Sequence, residues 1–366
     1  MAITKLIADS LGAGATPNQS AFKNLIINGD MSIAQRGTSV TGITGTAYNT
    51  IDRFQTNISS MGTWTQSQST DVPTGQGFAK SLKMDCTTAD ASPAASDVVN
   101  VRTKFEGQNL QYLKKGTSSA QSLTLSFWVK SNKTGTYIAE LYDTDNNRQI
   151  SQSYTISSAN TWENKTVTFA GDTTGTFTND NAESLRCTFY LGAGSDWNSG
   201  TLSTSWQSYV LADRAVGQVN LADSTANEWY VTGVQLEAGT TASEFEFLPV
   251  DVNLQRCLRY YYKYNTQGSS NSVGTSHGLN TGEIFNTFYY PVKMRASPSV
   301  AISAVGDFSV NTGAANMTCG SSATERITAT NVILKFGVVG SSGVGQGTCA
   351  TLYGTANSRI NLDGEL

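Results

Sequence analysis

Strand-length alternation of apolar and polar residues, repeated along most of the chain and broken each time by Gly, Asn, Ser or Thr, constrains this sequence more than any other feature. In SLTLSFWVKS, Leu123, Leu125, Phe127 and Val129 fall on one side of an extended backbone, with Thr124, Ser126, Trp128 and Lys130 on the other. TYIAELYD follows after the turn residues Asn132, Lys133, Thr134 and Gly135, so the two runs read as a hairpin. TWENKTVTFAG offers Trp162, Val167 and Phe169 to a core, and RCTFYLGAG and EWYVTGVQLEAG repeat the device. Charged residues make up only 14% of the chain, and 34 residues are glycine. Long solvated helices carry Glu/Lys pairs one turn apart, which are scarce here; short strands joined by small polar turns are what this composition favours. The predicted class is all-β: a jelly-roll-like sandwich over 25–249, a short helical linker over 250–264, and a smaller C-terminal β-sandwich domain over 265–366.

Two segments depart from this pattern. Ile3, Leu6, Ile7 and Leu11 have helical spacing, so AITKLIADSL reads as a short amphipathic helix, and GAGATPNQS then breaks regular structure. So short a helix is not stable alone, so residues 1–24 either pack on a partner or fray. The segment lacks a charged stretch followed by an unbroken apolar run and does not read as a signal peptide. Further on, Leu254, Leu258, Tyr261 and Tyr262 fall at helical spacing behind Pro249 and Asp251. VDVNLQRCLRYY therefore reads as a short helix running into a strand. Three such stripes would bury one another around a three-fold axis, which makes these four residues trimer-axis candidates.

Several functions are excluded by what is missing. The net charge is −4 and no basic run exceeds Lys114-Lys115, so the phosphate neutralisation behind nucleic-acid binding has no visible source. Anionic membranes are excluded on the same ground, and no apolar run approaches the ~18 residues of a spanning helix. The five cysteines (Cys86, Cys187, Cys257, Cys319, Cys349) include no CxxC pair and read as buried thiols of a chain made in a reducing cytoplasm. His277 is the one histidine, in the Ser/Gly-rich stretch SSNSVGTSHGLNTG, and reads as an exposed loop residue, so neither a Ser-His-Asp triad nor a His-based metal site is expected. Asp143 with Asp145, Glu244 with Glu246, and Asp363 with Glu365 each place two acids on one strand face, a geometry glycoside cleavage accepts. Ordinary strand alternation accounts for them equally well, and the chain is expected to be neither an enzyme nor a holder of cofactor or metal. Sugars stack their C–H faces on aromatic rings. Trp128, Trp162, Trp206 and Trp229 fall on strands and read as packing. Trp197, in GAGSDWNSG beside Asp196 and Asn198, is the loop tryptophan and the leading glycan-binding candidate. Tyr353, Asn357 and Arg359 are candidates in the C-terminal domain by position alone.

LIINGDMSIAQRGTS at 25–39, with YNTIDRF at 48–54, resembles the opening of a family of tailed-bacteriophage tail-fibre and tail-appendage proteins. EWYVTGVQLEAGTTASEFEFLPVDVNLQRCLRYYYKY at 228–264 resembles that family's closing signature, and LTLSFWVKS at 123–131 and SWQ at 205–207 also match it. The resemblance implies a homotrimeric virion protein of the tail, assembled in the bacterial cytoplasm, that adsorbs to a bacterial surface polysaccharide. Residues 1–24 would be the virion-attachment segment, bound to other tail or baseplate proteins, and 265–366 the receptor-facing tip. A head fibre or capsid-decoration protein and a glycan-degrading tailspike are the alternatives. The same opening and closing strands resemble carbohydrate-binding-module jelly rolls, in which a structural calcium often sits where the first strand meets the last. Here Met31 and Ser32 replace the aromatic and the acid of that pattern, and Val231-Thr232-Gly233-Val234 replaces its closing acids. Calcium takes about six to eight oxygens, which Asp30 and Asp52 do not supply, so the site is expected to be lost.

Overall fold

The computed structural model describes residues 22–265, 271–313, 315–340 and 344–366; the expected helix over AITKLIADSL lies outside them, with most of the 1–24 segment. The chain divides into two compact units, 1–253 together with Leu366, and 254–365.

The strands of the first unit are β1 (Ser39–Ile43), β2 (Ala47–Tyr48), β3 (Gln55–Ser59), β4 (Thr63–Ser69), β5 (Ser81–Thr88), β6 (Val98–Glu106) and β7 (Leu123–Ser131). They continue as β8 (Gly135–Asp143), β9 (Arg148–Ile156), β10 (Glu163–Phe169), β11 (Glu183–Ala193), β12 (Gln207–Ser208) and β13 (Glu228–Ala238). Six form one sheet in the order β1-β4-β5-β13-β7-β10, and seven form another in the order β12-β9-β8-β11-β6-β3-β2. Their inner faces make one core. Phe127 of the first sheet meets Phe189 and Tyr154 of the second edge-on at 5.0 and 4.9 Å, and Trp229 lies 5.9 Å from Phe189. This is the jelly-roll-like sandwich expected from the alternation, and Leu123, Leu125, Phe127 and Val129 all point into its core.

The hairpin expected at Asn132–Gly135 does not form. β7 pairs with β10 and β13 in one sheet, whereas β8 pairs with β9 and β11 in the other. Alternation sets which face of a strand is buried but not its partner, and the turn here carries the chain across the core. The real hairpin joins β8 to β9, where Asp143 Oδ1 accepts from the Asp145 and Asn146 amides at 3.0 and 3.1 Å. Trp162 is also displaced from its expected place: it lies half-buried on the outer face, donating from Nε1 to Asp71 at 2.9 Å.

β13 pairs with β5 only through Glu228–Val231, and beyond that the opening segment takes over its edge. Leu25 N donates to Leu236 O at 2.9 Å, Val234 N donates to Gly29 O at 2.9 Å, and Asn24 Nδ2 donates to Val234 O at 3.1 Å. A Cβ on Gly29 would stand 2.1 Å from Val234 O, so a side chain there would break this contact. Asn28 closes the turn that follows, donating from Nδ2 to the Ile33 and Asp52 carbonyls at 2.9 and 3.0 Å. Asp30 Oδ1 accepts from Ser32 Oγ and Asn253 Nδ2 at 3.0 and 3.1 Å, and Asp52 Oδ1 accepts from the Gln35 amide at 2.9 Å.

The second unit contains β14 (Tyr261–Asn265), β15 (Asn271–Asn280), β16 (Glu283–Tyr289), β17 (Ser299–Ile302), β18 (Phe308–Asn311), β19 (Asn316–Ile327), β20 (Asn331–Val338), β21 (Cys349–Gly354) and β22 (Arg359–Asp363). It is β throughout, as expected, but six strands close into a barrel, β15-β16-β20-β19-β18-β21, instead of facing each other as two open sheets. Closure pairs the strand edges that an open sheet would expose. β14, β22 and β17 form a separate three-stranded sheet. His277 lies on β15, exposed as expected but not in a loop, with its ring 5.9 Å from Phe285. Cys349 is exposed, contrary to the expectation that all five thiols are buried; the other four are buried, and none of the five is in a disulfide. The helix over Val250–Leu258 ends earlier than its apolar stripe. Tyr261 and Tyr262 lie on β14, opposite Asp363 and Leu362, because a run of aromatic residues favours strand pairing. Leu254, Leu258, Tyr261 and Tyr262 thus do not form one continuous helical stripe.

A buried ion network ties the loops after β6 and β10 to the β8–β9 turn. Lys115 Nζ lies 2.6 Å from Asp143 and 3.1 Å from Asp172, and Arg148 Nε lies 2.7 Å from Asp172. Burial alone would raise the Asp172 carboxyl, but hydrogen bonds from Arg148, the Thr174 amide and Lys115 outweigh it and hold the group below its ordinary value. Asp172→Asn leaves two cations short of a partner and is expected to cost about 3 kcal/mol, read as a lowered denaturation midpoint. Because the folded pKa is lowered, this stabilisation is present at neutral pH and is lost as pH falls from about 4 through the folded value. The Asn variant should therefore lose less stability on acidification than wild type.

Candidate functional site

The outer face of the seven-stranded sheet carries a polar cleft. On β6, Val99, Val101 and Phe105 turn into the core, so alternation sends Val98, Asn100 and Arg102 outward. On β11, Leu185, Cys187 and Phe189 are inward, and Arg186, Thr188 and Tyr190 are outward. Pairing aligns these residues in rungs. Gln55, Arg102 and Thr188 make one rung across β3, β6 and β11, and Asn57, Asn100 and Tyr190 make the next.

One wall comes from the segment after β11. Trp197 lies in the single turn α1 (Ser195–Asn198), donates from Nε1 to Ser96 O at 3.2 Å, and has its ring centre 6.2 Å from that of Tyr190. The Arg214 guanidinium lies 5.1–5.2 Å from the ring centres of Tyr142, Trp197 and Tyr209, near enough for cation–π attraction. Glu140 fixes it with two hydrogen bonds, Nε to Oε1 at 2.6 Å and a terminal nitrogen to Oε2 at 2.5 Å. Burial opposes the Arg214 charge, but Glu140 and Tyr190 outweigh it and hold the group well above its ordinary value.

The cleft encloses about 190 Å³ and is lined by Asn57, Asn100, Arg102, Arg186, Thr188 and Trp197 among others. That is below the ~300 Å³ at which pockets for drug-sized ligands begin, so it suits one sugar unit or one substituent. Asn100 Oδ1 and Thr188 Oγ1 are buried there and have no hydrogen-bond partner. Leaving such an atom unsatisfied costs about 1–3 kcal/mol. The charges are unevenly matched. Glu183 is shared by Arg186 at 2.6 Å and Lys104 at 3.1 Å, while Arg102 Nε donates to the uncharged Gln55 Oε1 at 2.7 Å. Burial first, and the neighbouring Arg186 charge second, push Arg102 down to about 10.

Of the predicted glycan-binding residues, Trp197 lines this cleft and the others do not. Asp196 is exposed beside it, and Asn198 Nδ2 is spent on Ala193 O at 2.8 Å. Tyr353 lies on β21 of the barrel, Asn357 in the following turn and Arg359 on β22, so they belong to three separate segments. Sequence reasoning missed Asn100, Arg102, Arg186, Thr188 and Arg214. The signal was present for the first four, as polar residues alternating with core positions, but their meeting depends on the pairing of β6 with β11. The paired acids are held apart from this cleft: Asp143 is buried in the ion network, and Glu246 accepts from the Asn24 amide at 3.0 Å. A second cleft of about 640 Å³ lies on the outer face of the six-stranded sheet, with Trp128, Phe78, Phe245, Phe247 and Glu244 among its lining residues.

No family model matches this sequence, and no curated protein does. Solved structures similar to it include the enzymatically active domain of bacteriophage CBA120 tailspike protein 4, at 14% identity and a TM-score of 0.32. That match covers 60% of this chain and 22% of the tailspike chain. TmCBM61 in complex with beta-1,4-galactotriose matches at 10% identity and a TM-score of 0.31, over 59% of this chain and 98% of its own. A family 11 carbohydrate-binding module from Clostridium thermocellum, in complex with a mixed-linked tetrasaccharide, matches at 12% identity and a TM-score of 0.25, over 58% of this chain and 95% of its own. At these identities and scores the matches say nothing of what this chain binds.

The Arg214–Glu140 pair is the support of the cleft wall. Glu140→Gln should cost about 3–5 kcal/mol by leaving a buried guanidinium unmatched, measured as a fall in unfolding free energy. The double change Glu140→Leu with Arg214→Met should recover most of that loss, because it removes both charges.

Proposed function

We propose that this protein binds a saccharide in the cleft between β3, β6, β11 and Trp197, as the attachment component of a tailed-phage appendage. The observation that carries the binding assignment is the meeting of Asn100, Arg102, Arg186 and Thr188, two of them with unpartnered side-chain oxygens, in a cleft walled by an aromatic ring. A sugar unit matches both parts. Its hydroxyls satisfy an amide oxygen and a hydroxyl, and its C–H face lies on the indole. The virion assignment is supported by the resemblance of 25–39, 48–54, 123–131, 205–207 and 228–264 to tail-fibre proteins. In this reading the chain is a homotrimer, residues 1–24 dock to the tail, and the receptor is a polysaccharide of the bacterial surface. The protein does no chemistry on its ligand.

Two measurements check this. Trp197→Ala should weaken binding to host surface polysaccharide, or to the best ligand of a glycan array, about tenfold in protein that still unfolds cooperatively, with a lowered midpoint because the ring also packs on Tyr190 and Arg214. Unchanged affinity in that variant removes the cleft from consideration. The native mass should be about three times 39.0 kDa by light scattering, and a monomer argues against the fibre.

A further inference from the structure

We infer that the saccharide bound in this cleft carries an anionic group, a carboxylate, sulfate or phosphate, and that Arg102 meets it. The inference rests on the saccharide reading and adds the chemical class of the ligand. The chain as a whole carries a net charge of −4, yet three arginines line one small cleft: Arg102, Arg186 and Arg214. Glu140 is committed to Arg214, and Glu183 is shared between Arg186 and Lys104. Arg102 is left with the neutral Gln55 amide, and among the described residues it forms no salt bridge. It also stands diagonally across the β6–β11 ladder from Arg186, since Thr188 is opposite Arg102 and Arg186 is opposite Lys104. A half-buried cation beside another cation, attracted only at longer range by the Glu183 carboxylate that Arg186 and Lys104 already share, weakens the unliganded fold. A neutral sugar leaves that imbalance in place, whereas an anionic substituent removes it.

The geometry around Arg102 fits such a ligand. A guanidinium offers a planar set of donors matched to two oxygens of a carboxylate, sulfate or phosphate. Thr188 lies on the same rung and Asn100 on the next, each with an unpartnered side-chain oxygen, which puts polar residues beside the charged group. The three anions share this chemistry, so the test must separate them.

The experiment is titration of the full chain with matched oligosaccharide pairs. These are oligogalacturonate and its carboxyl-reduced form, sulfated and desulfated chondroitin, and phosphorylated and dephosphorylated mannan, each tested on wild type, Arg102→Gln, Arg102→Lys and Trp197→Ala. The charged member of at least one pair is expected to bind about tenfold or more tightly than its neutral partner, and the responding pair identifies the anion. Arg102→Gln should abolish that preference, Arg102→Lys should retain part of it, and added salt should weaken it. Unliganded Arg102→Gln should melt no lower than wild type. A lower melting temperature in that variant makes Arg102 a structural residue and overturns the inference. Equal binding of charged and neutral members, lost in Trp197→Ala but unmoved in Arg102→Gln, overturns the anionic assignment and leaves the saccharide reading standing. Absence of binding to every member overturns both.

Discussion

The edge of β13 is where the first unit is held closed. Its first half pairs with β5, and its second half takes the opening segment from Asn24 to Gly29. The handover occurs at Gly233, whose φ of +61° sits in the left-handed region and whose missing side chain leaves room for Phe78. On its other edge β13 pairs with β7, with the register broken between Thr232 and Gln235. A strand engaged this way joins residues more than 200 positions apart, so the sandwich depends on a long-range closure that no local hairpin supplies. The two stretches that resemble tail-fibre proteins most, at 25–39 and 228–264, are the two that meet here.

The cleft depends on that closure indirectly. With the six-stranded sheet sealed by the opening segment, the inner face of the seven-stranded sheet is fully occupied by core, and its polar residues must turn outward. There they face one another across β3, β6 and β11. Most are matched: Glu140 with Arg214, Glu183 with Arg186 and Lys104. Arg102, which has no salt bridge among the described residues, and Asn100 and Thr188, each with an unpartnered side-chain oxygen, line the same cleft as Trp197. Unsatisfied polar groups weaken a fold, and the proposed ligand would offset that cost at this cleft.

This arrangement also shows how far composition reaches on charge. An acidic chain with no basic run excludes the extended electrostatic surface that nucleic acid needs. It does not exclude a local positive site assembled from residues distant in sequence. Arg102, Arg186 and Arg214 are far apart in the sequence, and only the antiparallel ladder and the segment after β11 bring them together.

Much of the architecture was legible in the residues alone. Alternation identified the strands and their buried sides, as at Leu123–Val129, because the two-residue repeat of an extended backbone is a local property. Aromatic, Ser/Thr and Gly content excluded a helical protein for equally local reasons, and Trp197 stood out as a ring in a loop. Partner choice was not legible. The Asn132–Gly135 turn has hairpin residues but carries the chain between sheets, the C-terminal strands close into a barrel, and the Leu254–Tyr262 stripe divides between helix and strand. Each outcome is set by which distant strand offers a free edge and an apolar face, information held jointly by the whole chain. The amino-acid pattern thus determined strands, buried faces and the polar character of the outer surface. The tertiary structure alone decided which polar groups meet, which charges find partners, and which are left facing a cleft.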